Sequence, residues 1–220
     1  MRRSTFMVPA VLLAAGNSHR MGVPKALLKM PGGSSFLKTI TANLHRGGFG
    51  PILLILGREA ARIRPYVPEE VDRILVNEHP ELGQLASFQL GIRHLPPGVP
   101  GCLMALIDHP LISASTFQRI AEHLQQAPDR IAIPSKNFKK GHPTYFPARF
   151  FDEILSAPLE AGARQILKNH PEAIDYILVD DDGIFIDFDT PEMYTSYFKT
   201  GRVETISEFS SLADVSNFSE

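Results

Sequence analysis

Directly behind a short apolar run, the segment LAAGNSHRMGVPKALL gathers Gly16, Ser18, Arg20, Gly22 and Lys25 into one loop. Glycines let backbone N–H groups approach phosphate oxygens, a following helix adds its positive end, and the two cations offset negative charge as pyrophosphate departs. That combination suits a triphosphate. Two better-known phosphate loops are excluded by spacing. No G-x-G-x-x-G runs through Gly16 and Gly22, and Val23-Pro24 separates Gly22 from Lys25, which breaks G-x-x-x-x-G-K-[ST]. On pattern alone, the plain alternative is a glycine-rich surface turn with solvated charges.

Displacement at a phosphate also needs a hard cation bridging the oxygens, so carboxylates must stand opposite this loop. Asp108 follows an apolar run expected as a strand, which holds it at the carboxyl edge of a sheet, where open α/β folds bind ligands. Asp189 is the second candidate, and two carboxylates with substrate oxygens and water suffice for Mg2+. Asp187 competes with Asp189, because alternation puts both on one face of an extended segment. The structural alternatives are a turn or capping role for Asp108 before Pro110, and an N-cap for Asp189 ahead of a helix starting at Thr190 or Pro191. Arg20, Lys25 and Asp108 are the catalytic candidates, and Asp108 and Asp189 the metal candidates.

The elements that must position these groups follow from hydrophobic period. Val8–Leu13, Ile52–Leu56, Arg73–Val76, Cys102–Ile107 and Arg130–Pro134 read as strands. Between them Phe36–Arg46, Glu59–Tyr66, Leu85–His94 and Thr116–Gln126 carry the apolar stripe of a helix packed on a sheet. Ser35, and Ser113 or Ser115, are expected N-caps, and Gly47-Gly48 a helix stop. Strand and helix in alternation predict an α/β doubly wound, Rossmann-like three-layer sandwich with a mostly parallel sheet. After Pro134 come a basic turn (Lys139, Lys140, Gly141), a short β-like Thr144–Phe146, and helices around Phe150–Leu155 and Ala163–Lys168. Tyr176–Val179 and Ile184–Phe188 flank Asp180-Asp181-Asp182-Gly183, whose Asp-Gly step predicts a hairpin and makes the sheet mixed. Residues 1–199 are expected to form one domain, and the serine-rich residues 200–220 a polar tail ordered only by docking.

With 220 residues, 44% of them hydrophobic, the chain can bury one sizeable α/β core. A formal charge of −2 offers no broad cationic surface for nucleic acid or anionic lipid, so a small-molecule partner is expected. Cys102 is the only cysteine, which excludes an internal disulfide and a cysteine zinc cluster, suits a reducing cytoplasm, and reads as core packing. His19, His45, His79, His94, His109, His123 and His170 share no zinc-site spacing. Charges interrupt every apolar run short of a membrane span. The opening MRRSTFMVPAVLLAAG has the look of a secretory signal, but its β-rich stretch carries Pro9 and runs straight into the loop, so a buried first strand is expected.

The loop resembles the L-A-[AG]-G-x-S-x-R-M-G-x-x-K signature of the molybdopterin nucleotidyltransferase-like family, and further stretches resemble that family in order. They are NEHPELGQLASFQLGI with Asn77, Gly83, Ser87 and Gly91, LIDHPLI around Asp108, GHPTYF from Gly141, Gly162-Ala163-Arg164, Val179-Asp180-Asp181, and IDFDTPEMY from Ile186. The resemblance implies a nucleotide-diphospho-sugar transferase-like fold and transfer of a nucleotidyl group to the terminal phosphate of a molybdopterin-type acceptor. It implies nucleotide contacts from Leu13, Ala14, Ala15, Gly16, Ser18, Arg20, Lys25, Asn77, Gly83 and Ser87. Gly141, His142 and Pro143 would line the acceptor pocket, with Lys139 and Lys140 near its phosphate. The Leu-Ala-Ala-Gly form resembles the CTP-using branch. Gln84, Ala86 and His109 stand where the family commonly has Met, Ser, and Met or Gln, which leaves GTP open. Such a transfer needs no protein nucleophile and no general base, because an acceptor phosphate is already ionised near neutral pH. Other readings are a non-catalytic nucleotide-binding module serving a molybdoenzyme, and a nicotinamide-dependent oxidoreductase, which lacks its G-x-G-x-x-G here.

Overall fold

In the computed structural model, residues 7–16, 18 and 20–206 are described; His19 and the stretch 207–220 of the polar tail lie outside them. β1 (Val8–Ala14) is buried along its whole length and runs parallel to β2 (Phe49–Leu56) on one side and β4 (Gly101–Leu106) on the other. β3 (Arg73–Val76) extends the parallel half beyond β2. Beyond β4 the direction changes: β7 (Thr144–Pro147) is antiparallel to both β4 and β5 (Ile131–Lys136). The two-residue β6 (Lys139–Lys140) folds back on β5, and β8 (Ile174–Leu178) pairs with β5 in parallel. The sheet is therefore mostly parallel and mixed, as the alternation of strand and helix predicts.

Period-2 alternation in β1 sorts its side chains into two cores. Ala10, Leu12 and Ala14 face α1 (Phe36–Arg46), α2 (Ala60–Ile63) and α4 (Ala114–Leu124). Val11 and Leu13 face the other layer, built from α3 (Gln84–Arg93), α5 (Phe151–Ser156) and α6 (Arg164–Asn169). Three layers result. Gly91 shows how close the second layer comes: a Cβ there would collide with the Val11 side chain. Its conformity with the family pattern thus reflects packing of α3 on β1.

The expected caps form where side-chain oxygens meet free helix N–H groups. Ser35 accepts from the Lys38 N–H at 3.1 Å, and Ser113, not Ser115, caps α4. A third cluster, Phe36, Phe188 and Tyr194 with Met21 and Leu28, packs α7 (Pro191–Phe198) against the first loop. Residues 200–206 follow it back, where the Lys29 N–H donates to the Glu204 carbonyl at 2.9 Å and Thr205 is buried.

The hairpin expected around Asp180–Gly183 does not form. The Asp181 carboxylate is claimed by the start of α4, accepting from the Ser113 N–H at 2.9 Å, the Ser113 hydroxyl at 2.8 Å and the Thr116 hydroxyl at 2.6 Å. Residues 182–185 consequently coil into a short 3-10 turn, and β8 pairs with β5 instead of with the following segment. Tertiary hydrogen bonds to one carboxylate outweigh the local turn preference.

Candidate active site

The loop after β1 is folded by Ser18. Its carbonyl accepts from the Gly22 N–H at 2.8 Å and its hydroxyl from the Lys25 N–H at 3.3 Å. Lys25 opens a 3-10 turn whose next residues, Ala26 and Leu27, are buried, so its backbone is anchored from both sides. Its side chain is only 15% exposed and reaches the carboxyl edge of the sheet. There Nζ lies 2.5 Å from Asp189 Oδ1 and 3.3 Å from Asp108 Oδ2, while the Arg20 guanidinium donates to Asp189 Oδ2 at 2.7 Å.

Two main-chain bonds bring the distant acids together. The Ile107 N–H donates to the Leu13 carbonyl at 3.1 Å, prolonging the β1–β4 pairing up to Asp108. The Phe188 N–H donates to the Asp108 carbonyl at 3.0 Å, laying residues 187–189 alongside. Neither acid is a helix cap, since Thr190 caps α7 and Ser113 caps α4. The Lys25 hydrogen bond holds the Asp189 carboxyl below its usual range, aided by the Lys25 and Arg20 charges and opposed by partial burial. Asp108 Oδ1 is buried without a hydrogen-bond partner among the described residues. A spare oxygen on one of two converging carboxylates fits a small divalent cation.

Asp108 also stands between two cavities. The first, about 180 Å³, is walled by β1 and its loop (Leu13, Ala14, Ala15, Gly16, Ser18, Lys25), by Glu59 and Ile63, and by Gly83, Gln84 and Ser87. Gly83, at φ 90°, turns the chain into α3 without a capping side chain, so the first turn of α3, with Gln84 and Ser87, stands uncapped at this wall. The second cavity, about 610 Å³, is lined by Gly141, His142, Thr144, Phe146, Asp187 and His109. Gln84, Leu106 and Asp108 belong to both.

In the second cavity the His109 and His142 rings lie 4.7 Å apart, tilted by 45°. Burial pushes the His142 imidazole down to about 4, with His109 and Arg164 adding to the effect and Asp108 opposing it. Burial lowers His109 too, against the pull of Asp108 and Asp187. Both rings are neutral near neutral pH. Cations enter from Lys140 and from Arg164 and Lys168, one turn apart on α6.

The structure thus gathers most of the sequence-expected residues, with four displacements. Asn77 lines neither of the two cavities but donates to the Ser87 hydroxyl at 2.9 Å and so positions Ser87. Pro143 is buried behind Gly141 and His142, and Lys139 is not among the lining residues. Asp187 and Asp189 divide: Asp189 meets Lys25 and Asp187 faces the second cavity. Lys168 lies outside the residues that the sequence motifs mark, and its i+4 spacing from Arg164 is the signal that points to it.

An open mixed sheet with a cationic glycine loop facing carboxylates at its strand ends defines the class of the chain as a nucleotidyltransferase. Residues 10–174 match the model of the MobA-like NTP transferase domain, and the chain belongs to that family. It is 32% identical over 124 residues to a protein of Rhodopirellula baltica named as a probable molybdenum cofactor guanylyltransferase, covering 56% of this chain and 58% of that relative's length. It is 30% identical to the nicotine blue oxidoreductase of Paenarthrobacter nicotinovorans, over 84% of this chain and 93% of the relative. The crystal structure of Rv0371c from Mycobacterium tuberculosis H37Rv superposes with a TM-score of 0.78 at 25% identity, covering 90% of this chain and all of the other.

Proposed function

We propose that this chain joins the α-phosphate of a nucleoside triphosphate to the terminal phosphate of a molybdopterin-type acceptor, releasing pyrophosphate. The observation that carries the reading is Asp108, shared by a small cavity behind the glycine loop and a larger one holding neutral histidines and cations. The triphosphate occupies the first and the acceptor the second, so the two reacting phosphates meet at Asp108. Lys25 and Arg20 take the β- and γ-phosphates, and Gly83 and Ser87, the latter held by Asn77, contact the nucleoside. Asp108 and Asp189 would hold Mg2+, which supplies charge neutralisation at the phosphate oxygens when bound. His142 and His109 offer neutral hydrogen-bonding rings to the acceptor, with Arg164, Lys168 and Lys140 supplying positive charge. Residues 1–199 act in this reading as one nucleotidyltransferase domain. Among the described residues no helix is long and apolar enough to cross a membrane, which fits a cytoplasmic place.

For the base, the Leu13-Ala14-Ala15-Gly16 form supports CTP, whereas the name of the Rhodopirellula relative supports GTP. Pyrophosphate release is measured with each triphosphate, Mg2+ and molybdopterin. Release with CTP in excess of GTP is expected, the reverse preference changes the base, and no release with either removes the transfer reading. An oxidoreductase function, the class named for the Paenarthrobacter relative, would show as consumption of reduced nicotinamide cofactor by the same preparation.

A further inference from the structure

Lys25 occupies the space between the two carboxylates that a shared divalent cation would need. Its Nζ approaches Asp108 Oδ2 and Asp189 Oδ1, and Arg20 covers the remaining Asp189 oxygen. A divalent ion held by Asp108 and Asp189 would sit close to the Lys25 ammonium, and the like charges would repel. The Lys25 backbone cannot retreat with it, being fixed by Ser18 and by buried Ala26 and Leu27. Only the side chain can swing, and it needs an anionic destination.

Resting on the nucleotidyl-transfer reading, we infer that Lys25 is an internal stand-in for the metal, exchanged for it only when triphosphate arrives. Without nucleotide, two carboxylates are neutralised by two cations of the same loop, so a divalent ion alone must draw Lys25 off both carboxylates while bringing it no new anion. A metal–triphosphate complex brings the oxygens that receive Lys25 and Arg20 at the moment the carboxylates are released. Metal and nucleotide therefore bind with positive coupling, and by linkage each tightens the other by the same factor. Lys25 is in this sense a positioning residue as well as a phosphate ligand: it keeps Asp108 and Asp189 converged before substrate binds.

The test uses Mn2+ as probe, titrated into the whole protein and followed by the loss of the free-ion electron paramagnetic resonance signal. It is run with and without the non-hydrolysable α,β-methylene analogues of CTP and GTP, and the Mn2+ bound by each analogue in the absence of protein is subtracted. Wild-type protein is expected to bind Mn2+ weakly alone and at least tenfold more tightly with one analogue. Lys25→Met, which keeps the stem and removes the charge, is expected to bind Mn2+ alone at least tenfold more tightly than wild type and to lose most of the nucleotide enhancement. Lys25→Gln is measured in parallel, so that a folding defect in one variant leaves the other to decide. Mn2+ affinity of the folded variants equal to or below wild type overturns the exchange. Failure of the transfer reading looks different: wild type then retains no Mn2+ with either analogue, and the exchange falls with it.

Discussion

Lys25 Nζ and Asp189 Oδ1 stand 2.5 Å apart although 164 residues separate them in the chain. The contact closes a circuit of charge, Arg20 to Asp189 to Lys25 to Asp108, at the rim where both cavities meet. If the circuit is catalytic, removing one acid must cost rate without costing the fold. Asp108→Asn keeps shape and loses charge at a partly exposed position. It is expected to slow pyrophosphate release by about 10²–10⁴-fold, the several kcal/mol that a metal ligand supplies, with thermal melting nearly unchanged. Asp187→Asn, on the other side of the division, is expected to affect acceptor dependence more than metal dependence.

Arg164 and Lys168 face the second cavity from one side of α6 and make no ion pair among the described residues. Each can therefore give its charge to an anionic acceptor. Arg164→Ala is expected to raise the KM for acceptor roughly tenfold or more, the worth of a charged hydrogen bond, while leaving the KM for triphosphate in place. A rise in the triphosphate KM instead would put Arg164 on the nucleotide side.

α3 crosses β1 at Gly91, where Val11 leaves no room for a side chain. Gly91→Val overpacks that contact and is expected to cost about 1–3 kcal/mol in urea unfolding. Because α3 also carries Gln84 and Ser87 into the first cavity, nucleotide affinity is expected to fall with it.

Local signals were legible wherever one residue's own chemistry decides its neighbourhood. Ser35 before an apolar stripe announces α1, and the run from Val8 announces a buried strand, because capping and burial act over a few residues. The glycine loop likewise declares its cations. What could not be read is which distant groups meet. The Asp-Gly step at 182–183 favours a hairpin in isolation, yet Asp181 is drawn to Ser113 and Thr116 some 65–68 residues away. Asp187 and Asp189 look equivalent by alternation, yet with the Phe188 N–H bonded to the Asp108 carbonyl Asp187 lines the second cavity and Asp189 meets Lys25 and Arg20. His109 reads in the sequence as a departure from the family pattern, but its tilted contact with His142 requires β4 and β7 to be neighbours.

Burial holds His142 down to about 4, whereas an exposed histidine titrates near 6.5. The folded chain therefore resists a proton that the unfolded chain accepts between those values. Unfolding takes up that proton, so stability is full above about pH 6.5 and falls as pH drops toward 4, by at most about 1.4 kcal/mol per pH unit from this one group. His142→Gln is expected to flatten that part of the profile of ΔG against pH from chemical denaturation. An unchanged slope would mean that the imidazole is as easily protonated folded as unfolded.

Asp181 joins stability to the acceptor cavity. Beyond its bonds to Ser113 and Thr116, it accepts from the Gly183 N–H at 2.9 Å, and the next carbonyl, that of Ile184, accepts from the His142 N–H at 2.9 Å. Burial alone would raise the Asp181 carboxyl, but the hydrogen bonds from Thr116, Ser113 and Gly183 outweigh it and hold the group low. A carboxyl held low in the fold stabilises it above the ordinary carboxylate range, and that contribution is lost as pH falls through the folded value. Asp181→Ala strands the donors at the start of α4 and is expected to cost about 1–3 kcal/mol. It also frees the turn that fixes His142, so at a temperature where the variant is still folded the KM for acceptor should rise with little change for triphosphate. Asp181→Asn retains an acceptor oxygen and should recover part of both losses. If the alanine variant loses stability while its acceptor KM stays at the wild-type value, the turn braces α4 alone and His142 is held by the walls of its cavity.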